Sequence, residues 1–87
     1  RQAALVLSKA VNCGKEMVAA GVKDACTILT AMKDIINAEP LARIDYVEMV
    51  DMNTMKNIDT VSGDVLCAMA VFVGKTRLID NFIVLED

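Results

Sequence analysis

Four groups of residues in the 87-residue sequence have types and spacing that bear on chemistry, and each has a plainer reading beside it. Gly74-Lys75-Thr76 matches the tail of a phosphate-binding loop. The full GxxxxGK[ST] pattern needs a glycine where Met69 stands, with a strand before it and a helix after it. Asp51, Asn53, Asn57 and Asp59 have the rhythm of a calcium loop. That loop needs glycine at the sixth position, here Lys56, and a bidentate glutamate at the twelfth, here Ser62, so the pattern reads as solvated loop residues. Asp80 stands among apolar neighbours and reads as a buried carboxylate with a structural role, and Arg77 as a cation over a ring or a group aimed at an anion. Cys13, Cys26 and Cys67 are odd in number, far apart and set in apolar segments, as expected of buried thiols in a reducing cytoplasm.

The sequence holds no histidine and no CxxC pair, which removes a zinc ligand set and every His-dependent acid, base or nucleophilic mechanism from these residues. Net charge is -3 without charge runs, which argues against nucleic acid and against an anionic membrane surface as partners. Apolar residues make up 55% and aromatics 3%, so the core is aliphatic and Met-filled. No apolar run reaches the ~20 residues of a membrane span. These residues contain no self-sufficient catalytic constellation and no metal site.

The elements that must carry these residues follow from periodicity. Val65 to Leu85 holds two β-rich runs around Gly74-Lys75, and glycine first in a two-residue connection suits a type II′ hairpin. Counting outward from the turn pairs Val73 with Thr76, Val71 with Leu78, Met69 with Asp80, Cys67 with Phe82 and Val65 with Val84 on one apolar face. Phe72 with Arg77, Ala70 with Ile79, Ala68 with Asn81 and Leu66 with Ile83 form the other.

Arg1 to about Ala20 carries Ala4, Leu7, Val11, Gly14 and Val18 on one helical stripe, with Gly14 reserved for close approach of another helix. Gly21 suits the end of that helix. A second helical pattern runs through Val22, Ala25, Leu29, Met32 and Ile36, with Ile28 and Ile35 beside it, and stops before Pro40. Arg43 to Asp51 reads as a third strand whose buried face is open, because both alternating faces are mixed. Met52 to Asp64 reads as a surface connection with one helical turn. The expected architecture is one two-layer α+β domain over residues 1–87, with two antiparallel helices on a three-stranded antiparallel sheet. Cys67, Met69, Val71, Leu78, Phe82 and Val84 are expected against the helices.

RIDYVEMVDMNTM at Arg43 to Met55, AMAVFVGKTRLIDN at Ala68 to Asn81 and RQAALVLSKAV at Arg1 to Val11 together resemble the C-terminal domain of the pantoate-β-alanine ligase family. The resemblance runs nearly from end to end, and DYVEMVD and GKTRLIDN are its most specific pieces. It implies a cytoplasmic enzyme that uses ATP, with Mg, to make a pantoyl adenylate and passes the pantoyl group to β-alanine. It also implies an N-terminal Rossmann-like catalytic domain, a homodimer when intact, and a lid role for this domain, which alone would be inactive and hold no cofactor. The family's HIGH-type and KMSKS-type nucleotide motifs do not occur in these residues, and the resemblance assigns no catalytic residue here. Arg1 opens directly into a helical pattern without a capping residue, consistent with a piece of a longer chain. The alternative is a free-standing, non-catalytic interaction or regulatory domain. Sequence upstream of Arg1 decides between the two.

Overall fold

A computed structural model describes residues 5–85, and the first turn of the expected helix, with Ala4, lies outside them. The element order is α1 (Leu5–Ala19), α2 (Ala25–Asn37), β1 (Ala42–Asp51), β2 (Val65–Val73) and β3 (Thr76–Val84). The three strands form one antiparallel sheet in the order β1-β2-β3, and both helices cover the same face of it. This is the expected α+β architecture.

Helix α1 buries Val6, Leu7, Ala10, Val11 and Gly14. It ends in a Schellman motif, with Gly21 at φ 92° and amide bonds from Gly21 to the Val18 carbonyl and from Val22 to the Met17 carbonyl. Gly14 lies where α1 meets α2 and β3, and a Cβ built there would come within 2.8 Å of Met32 Sδ and 2.9 Å of Phe82 Cζ. The glycine is a packing device, as its place on the stripe suggests.

Helix α2 starts three residues later than its periodicity suggests. Val22 and Lys23 lie outside both helices and Asp24 is extended, because the Val61 amide bonds to the Lys23 carbonyl and Asp24 bridges to Thr60, drawing this stretch into contact with the 52–64 connection. Asp24 is the N-cap, and its Oδ2 accepts from the Thr27 hydroxyl at 2.6 Å. Ile28, Met32 and Ile36 are fully buried, while Leu29 flanks them.

The β2–β3 register is the one that Gly74-Lys75 dictates, from Val73↔Thr76 to Val65↔Val84. Gly74 has φ 62° and Lys75 does not share the positive φ, which fits a type II′ turn and excludes type I′. Cys67, Met69, Val71 and Phe82 are buried against the helices, with Leu78 and Val84 partly buried beside them.

Strand β1 faces the helices with Val47 and Met49. A bulge between Ile44 and Tyr46 inserts Asp45 as an extra residue. Ile44 therefore sits opposite Val71 and joins the core face, although strict alternation would place it with Tyr46 and Glu48.

The 52–64 connection contains no helix, but it opens with the single turn expected, the Met55 amide bonding to the Asp51 carbonyl four residues earlier at 2.7 Å. The Asp51 carboxylate accepts from the Asn53 and Thr54 amides, turning the chain back so that Ile58 donates to the Met49 carbonyl along the edge of β1. Val61 then plugs the core at 4% exposure.

Candidate functional site

The helical and sheet surfaces of the domain differ. Most outward positions of α1 and α2, including Ser8, Lys9, Lys15, Glu16, Lys33 and Asp34, are exposed and polar, with Leu5 an exposed aliphatic at the start of α1. The outer face of the sheet presents Tyr46 and Glu48 from β1, Leu66, Ala68, Ala70 and Phe72 from β2, and Arg77, Ile79, Asn81 and Ile83 from β3. Ile79 and Ile83 are 60% and 52% exposed, whereas Ala70, paired between Tyr46 and Ile79, is fully buried. On this face the middle of β2 carries the small Ala68 and Ala70, and larger side chains stand at its ends and on the flanking strands.

At the hairpin end of this face, the charged side chains are organised. Arg77 donates through Nε and Nη2 to Asp45 Oδ2, at 3.1 and 2.8 Å, reaching across β2 to the residue that the bulge displaces. The Arg43 guanidinium carbon sits 4.9 Å from the centroid of Phe72. Sequence reading placed Arg77 as the cation beside Phe72. Arg43 takes the ring, and Arg77 is held by the acid. Nothing in the linear sequence marks Asp45 as its partner, because only the bulge brings Asp45 to that position.

The other sequence candidates are dispersed. Gly74-Lys75-Thr76 forms the β2–β3 turn, followed by a strand and not by a helix whose N-terminus could hold a phosphate. Asp51 has turned its carboxylate onto its own loop amides, so its role is in turn formation. Asp80 faces the helix side, opposite Met69, as the register requires. It is half-buried, not buried, because β3 is an edge strand, and its Oδ1 accepts from the Asn81 amide at 2.8 Å. That contact is structural and local.

The cysteines also separate. Cys67 is buried, its thiol 4.0 Å from Met32 Sδ, and burial pushes its pKa up to about 12, so it is inert as a nucleophile. Cys13 is half-buried and Cys26 is exposed, which corrects the expectation of three buried thiols. Cys26 lines a cleft of about 330 Å³ between α2 and the edge of β1, with Lys33, Asp59 and Asn57 at its rim. Among the described residues, no group of three or more His, Cys, Asp or Glu side chains is placed to hold a metal ion, and no helix is long and apolar enough to cross a membrane. The arrangement supplies a packed scaffold with one apolar, charge-ended face. Among the described residues there is no paired nucleophile and base and no cluster of donors aimed at a common point.

Comparison with known proteins places this geometry. A profile of the family described as pantoate-beta-alanine ligase matches residues 1–83. The chain is 53% identical over its full length to a pantothenate synthetase of Ruminiclostridium cellulolyticum, covering 31% of that protein. It is 49% identical over 84 residues to one of Caldicellulosiruptor bescii, covering 97% of this chain and 30% of that protein. A crystal structure of pantothenate synthetase from Thermus thermophilus superposes with a TM-score of 0.78 at 27% identity, over 88% of this chain and 28% of the other. The chain thus spans about a third of the length of the curated relatives it matches.

Proposed function

The chain belongs to the pantoate-β-alanine ligase family, and on that premise we propose that it is the C-terminal covering domain of an ATP-dependent ligase that condenses pantoate with β-alanine. The observation that carries this reading is identity of 53% sustained over the whole 87 residues to a protein about three times as long. The activity needs parts that lie elsewhere in such a chain.

A carboxylate is a poor acyl donor, and adenylation remedies this. The pantoate carboxylate oxygen attacks the α-phosphorus of ATP, and pyrophosphate leaves with the electron pair of the broken P–O bond. The β-alanine amine then attacks the acyl carbon of the pantoyl adenylate, the acyl C–O bond to AMP breaks, and the amine loses a proton as the amide forms. The residues present here do not fit a Mg-nucleotide. Gly74-Lys75-Thr76 is a hairpin turn, and the described acidic side chains are not grouped as metal ligands. Adenylation belongs to the other part of the longer chain.

What this domain contributes is coverage. A mixed anhydride between a carboxylate and a phosphate hydrolyses readily, so the intermediate has to be closed off from water until the amine arrives. A small rigid domain with a strongly packed core suits that role better than a loop. The family relation supports this reading over a free-standing regulatory domain.

The test is a backbone-amide NMR titration of the 87-residue chain with Mg-ATP, pantoate and β-alanine, beside an assay of the full-length protein for pantothenate, AMP and pyrophosphate. The full-length protein should form all three products, and the 87 residues alone should show no saturable shifts at micromolar ATP. Saturable shifts around Arg77 to Asn81 would mean that the domain carries a nucleotide site of its own and would overturn the covering role.

A further inference from the structure

We propose that the outer face of the sheet, centred on Ile79, Ile83, Leu66 and Tyr46, is the surface by which this domain seats on the remaining two-thirds of the full-length chain. The inference rests on the family reading above and adds to it which side of the domain faces inward.

Three observations carry it. The first is the asymmetry between the two layers. The helices cover one side of the sheet, and their own outer positions are mostly polar, with Leu5 at the start of α1 the one large aliphatic among them that is more than half exposed in the described residues, whereas the opposite side of the sheet is left with two such side chains on one strand, Ile79 and Ile83. A two-layer domain whose second sheet face is apolar leaves that face for another body.

The second is size. Strands about 4.8 Å apart rising about 3.3 Å per residue give a three-stranded, nine-residue sheet a face of roughly 400 Å², or roughly 800 Å² counted on both partners. That falls short of the ~1,200 Å² at which separate molecules form a stable complex. It lies inside the ~600 to 1,500 Å² of interfaces between domains of one chain. Tethering supplies an effective concentration on the order of millimolar, which lets so small a face engage. A second copy of the domain has no such help.

The third is composition. Glu48, Asn81 and the Tyr46 hydroxyl are interspersed with the aliphatic residues, and the Asp45–Arg77 pair closes one end. An interface that must open and close with the reaction suits this mixture better than a continuous apolar surface does. Relatives that this chain matches at full coverage leave about 69% of their length outside the match, enough for a domain of the required size.

Hydroxyl-radical footprinting with peptide-level mass spectrometry tests this on wild-type protein, so no variant needs to fold. The 87-residue chain and the full-length chain are labelled in parallel at several concentrations, with Leu41 and Met55 as exposed references elsewhere. Oxidation of Ile79, Ile83 and Tyr46 should fall at least five-fold in the full-length chain relative to the references. Unchanged rates would overturn the proposal, as would protection that falls on the outer positions of α1 and α2 instead. Concentration-dependent protection within the 87-residue chain alone would also overturn it, assigning the face to a second copy. Ligase activity of the same full-length sample separates the two readings: activity with an unprotected face sinks only the docking surface, and protection without activity sinks only the ligase reading.

Discussion

Replacing Gly14 by alanine tests the close approach of α1 to α2 and β3. Two effects oppose each other. Alanine in mid-helix is favoured over glycine by about 1 kcal/mol, which would stabilise α1. Against this, the new methyl group would stand 2.8 Å from Met32 Sδ, 2.9 Å from Phe82 Cζ and 3.0 Å from Phe82 Cε2, each well inside van der Waals contact. Met32 can swing its thioether aside, but Phe82 is a rigid ring wedged between α1 and the sheet, and Met32 is itself fully buried with little room to move into. Overpacking of this kind costs typically 1 to 3 kcal/mol, so the net expectation is a loss of about 1 kcal/mol. In an 87-residue domain that is a fall in Tm of about 4 to 8 °C. Urea unfolding of the 87-residue chain followed by far-UV circular dichroism measures it. The contact is confirmed as the cause by Gly14→Ala combined with Phe82→Leu, where removal of the ring edge should make the double variant at least about 0.5 kcal/mol more stable than the sum of the single effects implies. A Gly14→Ala variant more stable than the wild type would show that helix propensity outweighs the contact, and the close-approach argument would fail.

Three further outcomes follow from the same structure. Cys26 should react with a maleimide within seconds to minutes while Cys67 reacts only on unfolding; because burial raises the Cys67 thiol to about 12 from an unfolded value near 9.0, its contribution to stability is intact below pH 9 and lost as pH rises towards 12, so the wild type should lose more stability over that window than Cys67→Ala does. The Asp45–Arg77 pair, with side chains 43% and 39% exposed for Arg77 and Asp45, should show a double-mutant coupling of no more than about 1 kcal/mol that shrinks in 1 M salt, and a coupling well above that would mean that the pair is shielded from water. Asp80→Asn should change stability by less than about 1 kcal/mol, since the amide oxygen can still accept from the Asn81 amide; a larger loss would restore the buried-carboxylate reading.

How far the sequence determines the molecule differs from segment to segment. The hairpin was legible because one glycine at a two-residue turn fixes nine strand pairs at once, and an error of one residue would have turned every side chain over. Gly14 was legible as a packing position because glycine has no other reason to stand on an apolar helical stripe. The buried face of β1 was not, since the alternation is broken at Asp45 and a bulge leaves no mark in composition. The start of α2 was misplaced because Val22 continues the helical period, while the bonds that hold Lys23 and Asp24 outside the helix come from residues about forty positions away. Asp80 illustrates a related limit. Register gives the face of a residue, but whether that face is sealed depends on where the covering helix ends, and an edge strand is sealed on one side only. The charge cluster of Arg43, Asp45, Phe72 and Arg77 needed both the register and the bulge before its partners could be assigned.

The central claim is that these residues guard an acyl adenylate formed elsewhere in the same polypeptide. Its most direct measurement is the ratio of pantothenate formed to AMP released, taken for the full-length chain and for the same chain ended just before Arg1. A ratio near one for the former, falling several-fold for the latter as adenylate is lost to water, is the result expected of a covering domain. A ratio near one for both would contradict it.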